Sequence, residues 1–370
     1  MIRPNPRNPP FTISVLCALA AARCASNPSR KIDAPVGTGP ELVIPVKYGK
    51  LQVLGTHLCD SSGQPVQLKG MSTMGLQWHG EIVNDKAFAA LAKDWKADVV
   101  RLALYVGEGG YASHPELKAL LYRGIDLAIK HGLYVIADWH VLTPGDPNDA
   151  TYAGAQAFFD EVSRKYAKVP NVLYEIMNEP NGAVTWPGQL KPYAEKMVAT
   201  IRANDTDNII LIGSGTWSQD VDAAAADPVQ GKNLAYTFHF YAGSHGEVLR
   251  RKVEAALDLG VAVFCSEWGT SEASGTGGPF LPESEAWLKF LDMHKIGWTN
   301  WSLCDKSETS AALKGLAQVM REGNTALAER DSLLVPATMG PEGFEVWGAD
   351  ELSASGVFVR TKMREHGRTP

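Results

Sequence analysis

Short apolar runs return along this chain at intervals that leave room for one helix between each pair. That alternation constrains the fold more than any other feature. Strand candidates fall at 67–72, 98–105, 133–139, 172–178, 208–213, 234–240, 261–267 and 297–303. Helical patterns fill the gaps, for instance 115–131 and 155–166, with turn and cap residues at Asp146 to Asp149 ahead of the second. Eight strands alternating with helices over roughly 320 residues predict an α/β fold, a (β/α)8 TIM barrel. A doubly wound open sheet is the alternative, but no Gly-x-Gly-x-x-Gly turn follows the first strands. A short N-terminal β-hairpin is expected from 51–54 and 66–68, joined by the turn-rich Asp60-Ser61-Ser62-Gly63-Gln64.

The segment ahead of the barrel reads as a processing signal. Arg3 and Arg7 precede an uncharged run of 12 residues, 11–22, too short to span a bilayer, and small residues follow. Residues 1–24 are therefore expected to be a signal peptide, 25–39 a flexible leader and 40–370 one catalytic domain. The mature protein is expected to be secreted, extracellular or periplasmic, monomeric and free of the membrane. Of five cysteines, Cys17 and Cys24 fall in that signal, which leaves Cys59, Cys265 and Cys304, too few for a disulfide scaffold. Lys and Arg minus Asp and Glu is 35 − 41 = −6, which argues against a nucleic-acid partner. Ten Trp and eleven Tyr leave aromatic surface for a ligand with flat apolar faces.

In such a barrel alternate side chains point inward, and chemistry sits at the carboxyl ends of the strands. Strict alternation puts Leu173, Glu175, Met177 and Glu179 inward on the fourth strand and Val261, Val263, Cys265 and Glu267 inward on the seventh. Both series end in a glutamate. Two carboxylates facing each other across one barrel mouth are what cleavage of a glycosidic bond needs, one to donate a proton and one to attack or to orient water.

The residues around the two acids sharpen this. The segment Leu173-Tyr174-Glu175-Ile176-Met177-Asn178-Glu179-Pro180-Asn181-Gly182 resembles the acid/base signature of glycoside hydrolase family 5, and Cys265-Ser266-Glu267-Trp268-Gly269-Thr270 resembles its nucleophile strand. The stretches Gly215-Thr216-Trp217-Ser218-Gln219-Asp220-Val221 and Phe238-His239-Phe240-Tyr241-Ala242-Gly243 are similar to the bacterial secreted endo-β-1,4-glucanase branch. The resemblance runs from Gly70 to Arg360. It implies a cellulase that cuts internal bonds of a β-glucan with retention, Glu179 as general acid/base and Glu267 as nucleophile. The same machinery on mannan, xyloglucan or mixed-linkage glucan stays open, as does a non-catalytic carbohydrate-binding barrel.

Supporting roles follow. Arg101, inward on the second strand with Val99, Ala103 and Tyr105, needs buried carboxylate partners, and its charge beside Glu267 would keep that group ionised. Whether it also meets Glu175 or Asp138 is open at this point. Tyr241 is expected to donate to Glu267, and Asn178 is an amide donor beside Glu179. Glu179 is expected to lack a neighbouring cation and so to hold its proton. His140 and His239 end two strands. The resemblance makes them partners of the sugar and the acids, a metal site being the alternative that no His-x-x-x-His or Cys-x-x-Cys spacing supports. No cofactor and no metal are expected.

Sugar C–H faces stack on aromatic rings, so Trp78, Tyr105, Trp217 and Trp301 are expected as walls of the substrate site, with His79 beside them. Trp298, of the opposite parity to Trp301, is expected under a helix. By the resemblance Lys306 and Glu308 bind sugar hydroxyls, and Ala273 and Ser274 contact the sugar through their backbone. Met74 stands where close relatives carry histidine, and His79 stands where an aromatic is usual.

Overall fold

The structure, a computed structural model, describes residues 46–366. The expected signal peptide (1–24) and leader (25–39) lie outside the described residues.

The hairpin is present but built from a nearer pair. β1 (Gln52–Leu54) pairs antiparallel with β2 (His57–Cys59), and the turn is Gly55-Thr56. The Asp60–Gln64 segment forms a second turn, in which the Asp60 carboxylate accepts from the backbone N–H groups of Ser62 and Gln64. Beyond it the chain returns to β2 at one antiparallel bridge, Cys59↔Pro65, with the Val66 N–H donating to the Leu58 carbonyl. The expected 66–68 partner thus meets β2 rather than 51–54, and the pairing stops at that bridge.

β3 (Lys69–Thr73), β4 (Val99–Tyr105), β5 (Tyr134–His140), β6 (Val172–Glu175), β7 (Ile210–Ile212), β8 (Leu234–Tyr241), β9 (Val263–Gly269) and β10 (Trp298–Leu303) close into one parallel barrel, β10 pairing back onto β3. The (β/α)8 architecture expected from the alternation is therefore present, with strand ends within three residues of those expected. Helices cover the outside. Ala155–Tyr166 buries Phe158, Phe159, Val162 and Tyr166, one stripe at helical spacing, and Trp139 of β5 packs 4.8 Å from the Phe158 ring. Asp149 caps a short turn at Ala150–Tyr152 rather than this helix.

Two apolar layers result. Val99, Tyr134, Ile136, Leu173, Leu211, Ala235, Ala262 and Phe264 fill the barrel interior, and Leu51, Leu58, Val66 and Leu68 join them. The hairpin thus stoppers the amino end of the barrel. Each aliphatic side chain buried there contributes about 1.5–3 kcal/mol. The outer layer lies between strands and helices and includes Val100, Leu102, Leu104, Trp268, Trp287 and Trp298. Beyond β10, β11 (Thr338–Met339) pairs with β12 (Glu345–Val346), and the helix Ala354–His366 is the last element among the described residues. Among the described residues no helix is long and apolar enough to cross a membrane.

With the amino end stoppered by apolar side chains, the polar inward residues collect at the carboxyl end. Register decides which they are. β4 and β5 pair without interruption over seven residues, Val99↔Tyr134 to Tyr105↔His140. β8 and β9 do not: Thr237 pairs with Phe264, yet His239 pairs with Glu267, a shift of one residue.

Candidate active site

That shift corrects the strict alternation expected for the seventh strand. Val263 and Cys265 face the outer layer, while Phe264 faces the interior. Ser266 follows Phe264 inward, and the extra residue turns Glu267 inward as well. The fourth strand departs too. β6 ends at Glu175, Met177 packs in the outer layer, and Asn178 and Glu179 both reach the mouth from the segment beyond.

Arg101 organises the floor. It is fully buried, and its guanidinium reaches Glu175 Oε2 at 2.6 Å, Asn178 Oδ1 at 2.6 Å, Asp138 Oδ2 at 3.0 Å and Glu267 Oε2 at 3.1 Å. So it meets both acids that the sequence left open. Burial works against its charge, but the Asp138, Glu175 and Glu267 carboxylates outweigh burial and keep it protonated. Glu175 is held down at about 2, with burial opposing and Arg101 and His239 prevailing. Burial pushes Asp138 well above the usual carboxylate range, against the pull of Arg101.

Glu267 has a donor on each oxygen: Arg101 Nη1 on Oε2 and the Tyr241 hydroxyl, at 2.7 Å, on Oε1. Glu179 meets His239 Nδ1 at 2.8 Å through Oε1. This corrects the expectation that Glu179 has no cation beside it. His239 is raised to about 9; burial lowers it, but hydrogen bonding toward Glu175 and Glu179 overcomes burial. His140 is the reverse case. Its Nδ1 lies 2.6 Å from Asp138 and its Nε2 3.1 Å from the Asn178 amide nitrogen. Arg101 takes the Asn178 oxygen, so that amide can only donate to His140, and the ring is fixed with its proton on Nδ1. Burial and the Arg101 charge pull His140 down to about 3.

One oxygen of Glu179, one of Glu267 and a nitrogen of His239 all lie within 4.8 Å of one another. The spacing would suit a cation, but both His239 nitrogens are already in hydrogen bonds, to Glu179 and to Ser266. No free imidazole lone pair remains for an ion.

The mouth opens into a cleft of about 650 Å³. Tyr105, His140, Glu179, Trp217, His239, Tyr241, Glu267, Ala273, Ser274, Trp301, Lys306 and Glu308 line it, as the sequence led one to expect, and Met74 does too. Arg101 and Asn178 lie beneath its floor. Trp78 stands outside the lining, 49% exposed and edge-on to Tyr105 at 4.9 Å. His79 is not in the cleft; its Nδ1 pairs with Asp305 at 3.1 Å. Lys306 pairs with Glu308 at 2.6 Å, so the two form one polar wall. Trp298 is buried in the outer layer, as its parity predicts.

Trp217 is presented by an unusual backbone. Thr216, Trp217 and Ser218 all have φ near +53 to +55°, a left-handed turn that L-residues resist by roughly 1–2 kcal/mol each. Anchors offset this: Trp217 N–H donates to the Pro180 carbonyl, Ser218 Oγ to the Asn178 carbonyl and Thr216 Oγ1 to Asp220. The turn is thereby tied to the segment that carries Glu179. Gln219 and His245 also line the cleft and were not singled out from sequence. Both follow strand ends, as Trp217 does, and that position was the available signal.

The sequence profile described as Cellulase (glycosyl hydrolase family 5) matches residues 59–307. The chain belongs to glycosyl hydrolase family 5. Individual relatives extend the match over most of the chain. An endoglucanase from Clostridium saccharobutylicum is 50% identical over 321 residues, covering 85% of this chain and 65% of the relative. Cellulase CelDZ1 from Thermoanaerobacterium sp is 44% identical, covering 86% and 83%. The chain thus spans just under two thirds of the Clostridium protein. Among solved structures, the alkaline cellulase K catalytic domain superposes with a TM-score of 0.79 at 41% identity, covering 88% of this chain and 96% of that one.

Proposed function

We propose that this family 5 barrel is a secreted endo-β-1,4-glucanase acting on cellulose-type glucans by double displacement. Glu179 protonates the glycosidic oxygen while Glu267 attacks the anomeric carbon. The leaving sugar departs as an alcohol, and a glycosyl-enzyme ester remains. Glu179 then takes a proton from water, the water oxygen bonds to the anomeric carbon, and Glu267 leaves as a carboxylate.

The spacing of the two acids is the observation that carries this reading. Carboxyls about 5–5.5 Å apart leave no room for a water behind the sugar, whereas inverting enzymes need roughly 6.5–9.5 Å. The separation here, within 4.8 Å between the nearest described oxygens, supports attack by Glu267 itself. Arg101 and Tyr241 hold the attacking carboxylate by both oxygens. Tyr105, Trp217 and Trp301 supply faces for sugar rings, and the Lys306–Glu308 pair offers groups for hydroxyls. The relatives named endoglucanase and cellulase support a β-1,4-glucan substrate. The basic, then apolar, N-terminal stretch supports export, with 40–370 as the catalytic domain, acting as a monomer.

Product analysis on a panel of purified polysaccharides tests the assignment. Carboxymethyl cellulose should release reducing ends and short oligosaccharides fastest. Faster release from mannan or xyloglucan would reassign the substrate, and no release from any polymer would leave only a binding barrel.

A further inference from the structure

Ser266 precedes the nucleophile in sequence, yet its hydroxyl serves the other acid. Ser266 Oγ lies 2.5 Å from Glu175 Oε1 and 2.9 Å from His239 Nε2. Its backbone carbonyl is held by the Thr299 hydroxyl. Glu175 already accepts from Arg101 through Oε2, so it is an ionised acceptor and takes the single Ser266 proton on Oε1. The Ser266 oxygen can then only accept from His239, which puts a proton on Nε2. The other nitrogen, Nδ1, faces Glu179 Oε1 at 2.8 Å. A chain of four buried or nearly buried groups therefore runs from Glu175 through Ser266 and His239 to Glu179.

We propose that Ser266 and Glu175 are positioning residues for the acid/base step, a hydroxyl bridge and a buried anion that hold His239 with Nε2 donating and Nδ1 aimed at Glu179; the proposal rests on Glu179 being the acid/base. The bond to His239 engages Oε1, so the proton for the glycosidic oxygen sits on Oε2. When that proton leaves, Glu179 becomes a carboxylate beside an imidazolium already in place. The chain thus favours the transition state over the ground state, because charge on Glu179 develops only as the proton moves. Alternation after Phe264 brings Ser266 inward and the β9 register shift adds Glu267 beside it, so one strand serves both acids.

Leaving-group dependence isolates this role. An unactivated glucoside needs the proton, while 2,4-dinitrophenolate departs without it. With rates counted per site titrated by a 2-deoxy-2-fluorocellobioside inactivator, Ser266→Ala is expected to lower kcat/KM on cellotetraose about 10- to 100-fold, the size of a lost charge-assisted hydrogen bond. On 2,4-dinitrophenyl β-cellobioside the same variant should stay within about threefold of wild type. Ser266→Cys, a near-isosteric change to a weak donor that leaves the Arg101 cluster intact, should show the same split and carries the test if Ser266→Ala does not fold. Equal losses on both substrates, or no loss on cellotetraose, would overturn the bridge. Glu179→Ala is the control, with a larger split and rescue by azide on the activated substrate. A split in Glu179→Ala without one in either bridge variant overturns the bridge alone. No split in Glu179→Ala overturns the acid/base assignment and the bridge with it.

Discussion

His140 and His239 stand at comparable strand ends on two sides of one barrel mouth, both buried, each in contact with a carboxylate, yet one is neutral and the other a cation. His140 is drawn down to about 3 and is neutral, whereas His239 is raised to about 9 and is protonated. Burial acts the same way on both, so it does not decide the outcome. The charged neighbours do, Arg101 at His140 and the Glu175 and Glu179 carboxylates at His239, and the partner of the second nitrogen matches each. For His140 that nitrogen faces an Asn178 N–H, a donor fixed by Arg101. For His239 it faces a Ser266 oxygen whose own proton is taken by Glu175. A donor at the second nitrogen excludes the imidazolium, and an acceptor backed by an anion favours it. The neutral side lies against the Arg101 cluster that holds Glu267, and the charged side supports the acid Glu179.

The strongest way to break this division of labour is to remove the group proposed to attack. Glu267→Gln should lower turnover on carboxymethyl cellulose by roughly 10⁴-fold or more. Calorimetric binding of cellotetraose should persist in that variant, which separates chemistry from the cleft. Next comes the shared cation. Arg101→Leu leaves Asp138, Glu175 and Glu267 buried without their counter-charge, and loss of one partner of a buried ion pair costs about 3–5 kcal/mol. Its unfolding midpoint in urea should fall accordingly, if soluble protein forms at all.

The histidine pair itself predicts two limbs of a stability profile. His239 is raised above its ordinary value of 6.5, so its contribution is complete below about pH 6.5 and is lost as pH rises through about 9. His140 is lowered from the same value, so its neutral form favours folding above pH 6.5, and stability falls as pH drops toward about 3. Urea unfolding across pH should show His239→Gln flattening the alkaline limb and His140→Gln flattening the acid limb. Both variants altering the same limb would erase the contrast. The smallest effect belongs to His79. It is engaged by Asp305 in a partly exposed pair, so His79→Ala should change kcat/KM by less than about twofold.

Much of this was legible in the residues. Val99, Arg101, Ala103 and Tyr105 alternate inward as expected because β4 and β5 pair without interruption. The two glutamates were found for a reason that was only half right. Alternation put Val263 and Cys265 inside with Glu267, whereas Phe264 and Ser266 are inside and a register shift adds Glu267 to them. No local residue marks that shift. It arises where neighbouring strands must match while the barrel closes, which is a property of the whole sheet. The same limit hid the cation beside Glu179, since His239 was visible but its aim depends on Ser266 and Glu175, distant in sequence. His79, on the helix after β3, pairs with Asp305, the residue before Lys306 of the cleft wall.

The assignment of the two acids is tested most directly by trapping the intermediate. A 2-deoxy-2-fluorocellobioside with a good leaving group should label the protein once, and peptide mapping by mass spectrometry should place the sugar on Glu267. A label on Glu179 or Glu175, or steady turnover with no trapped ester, would contradict the account.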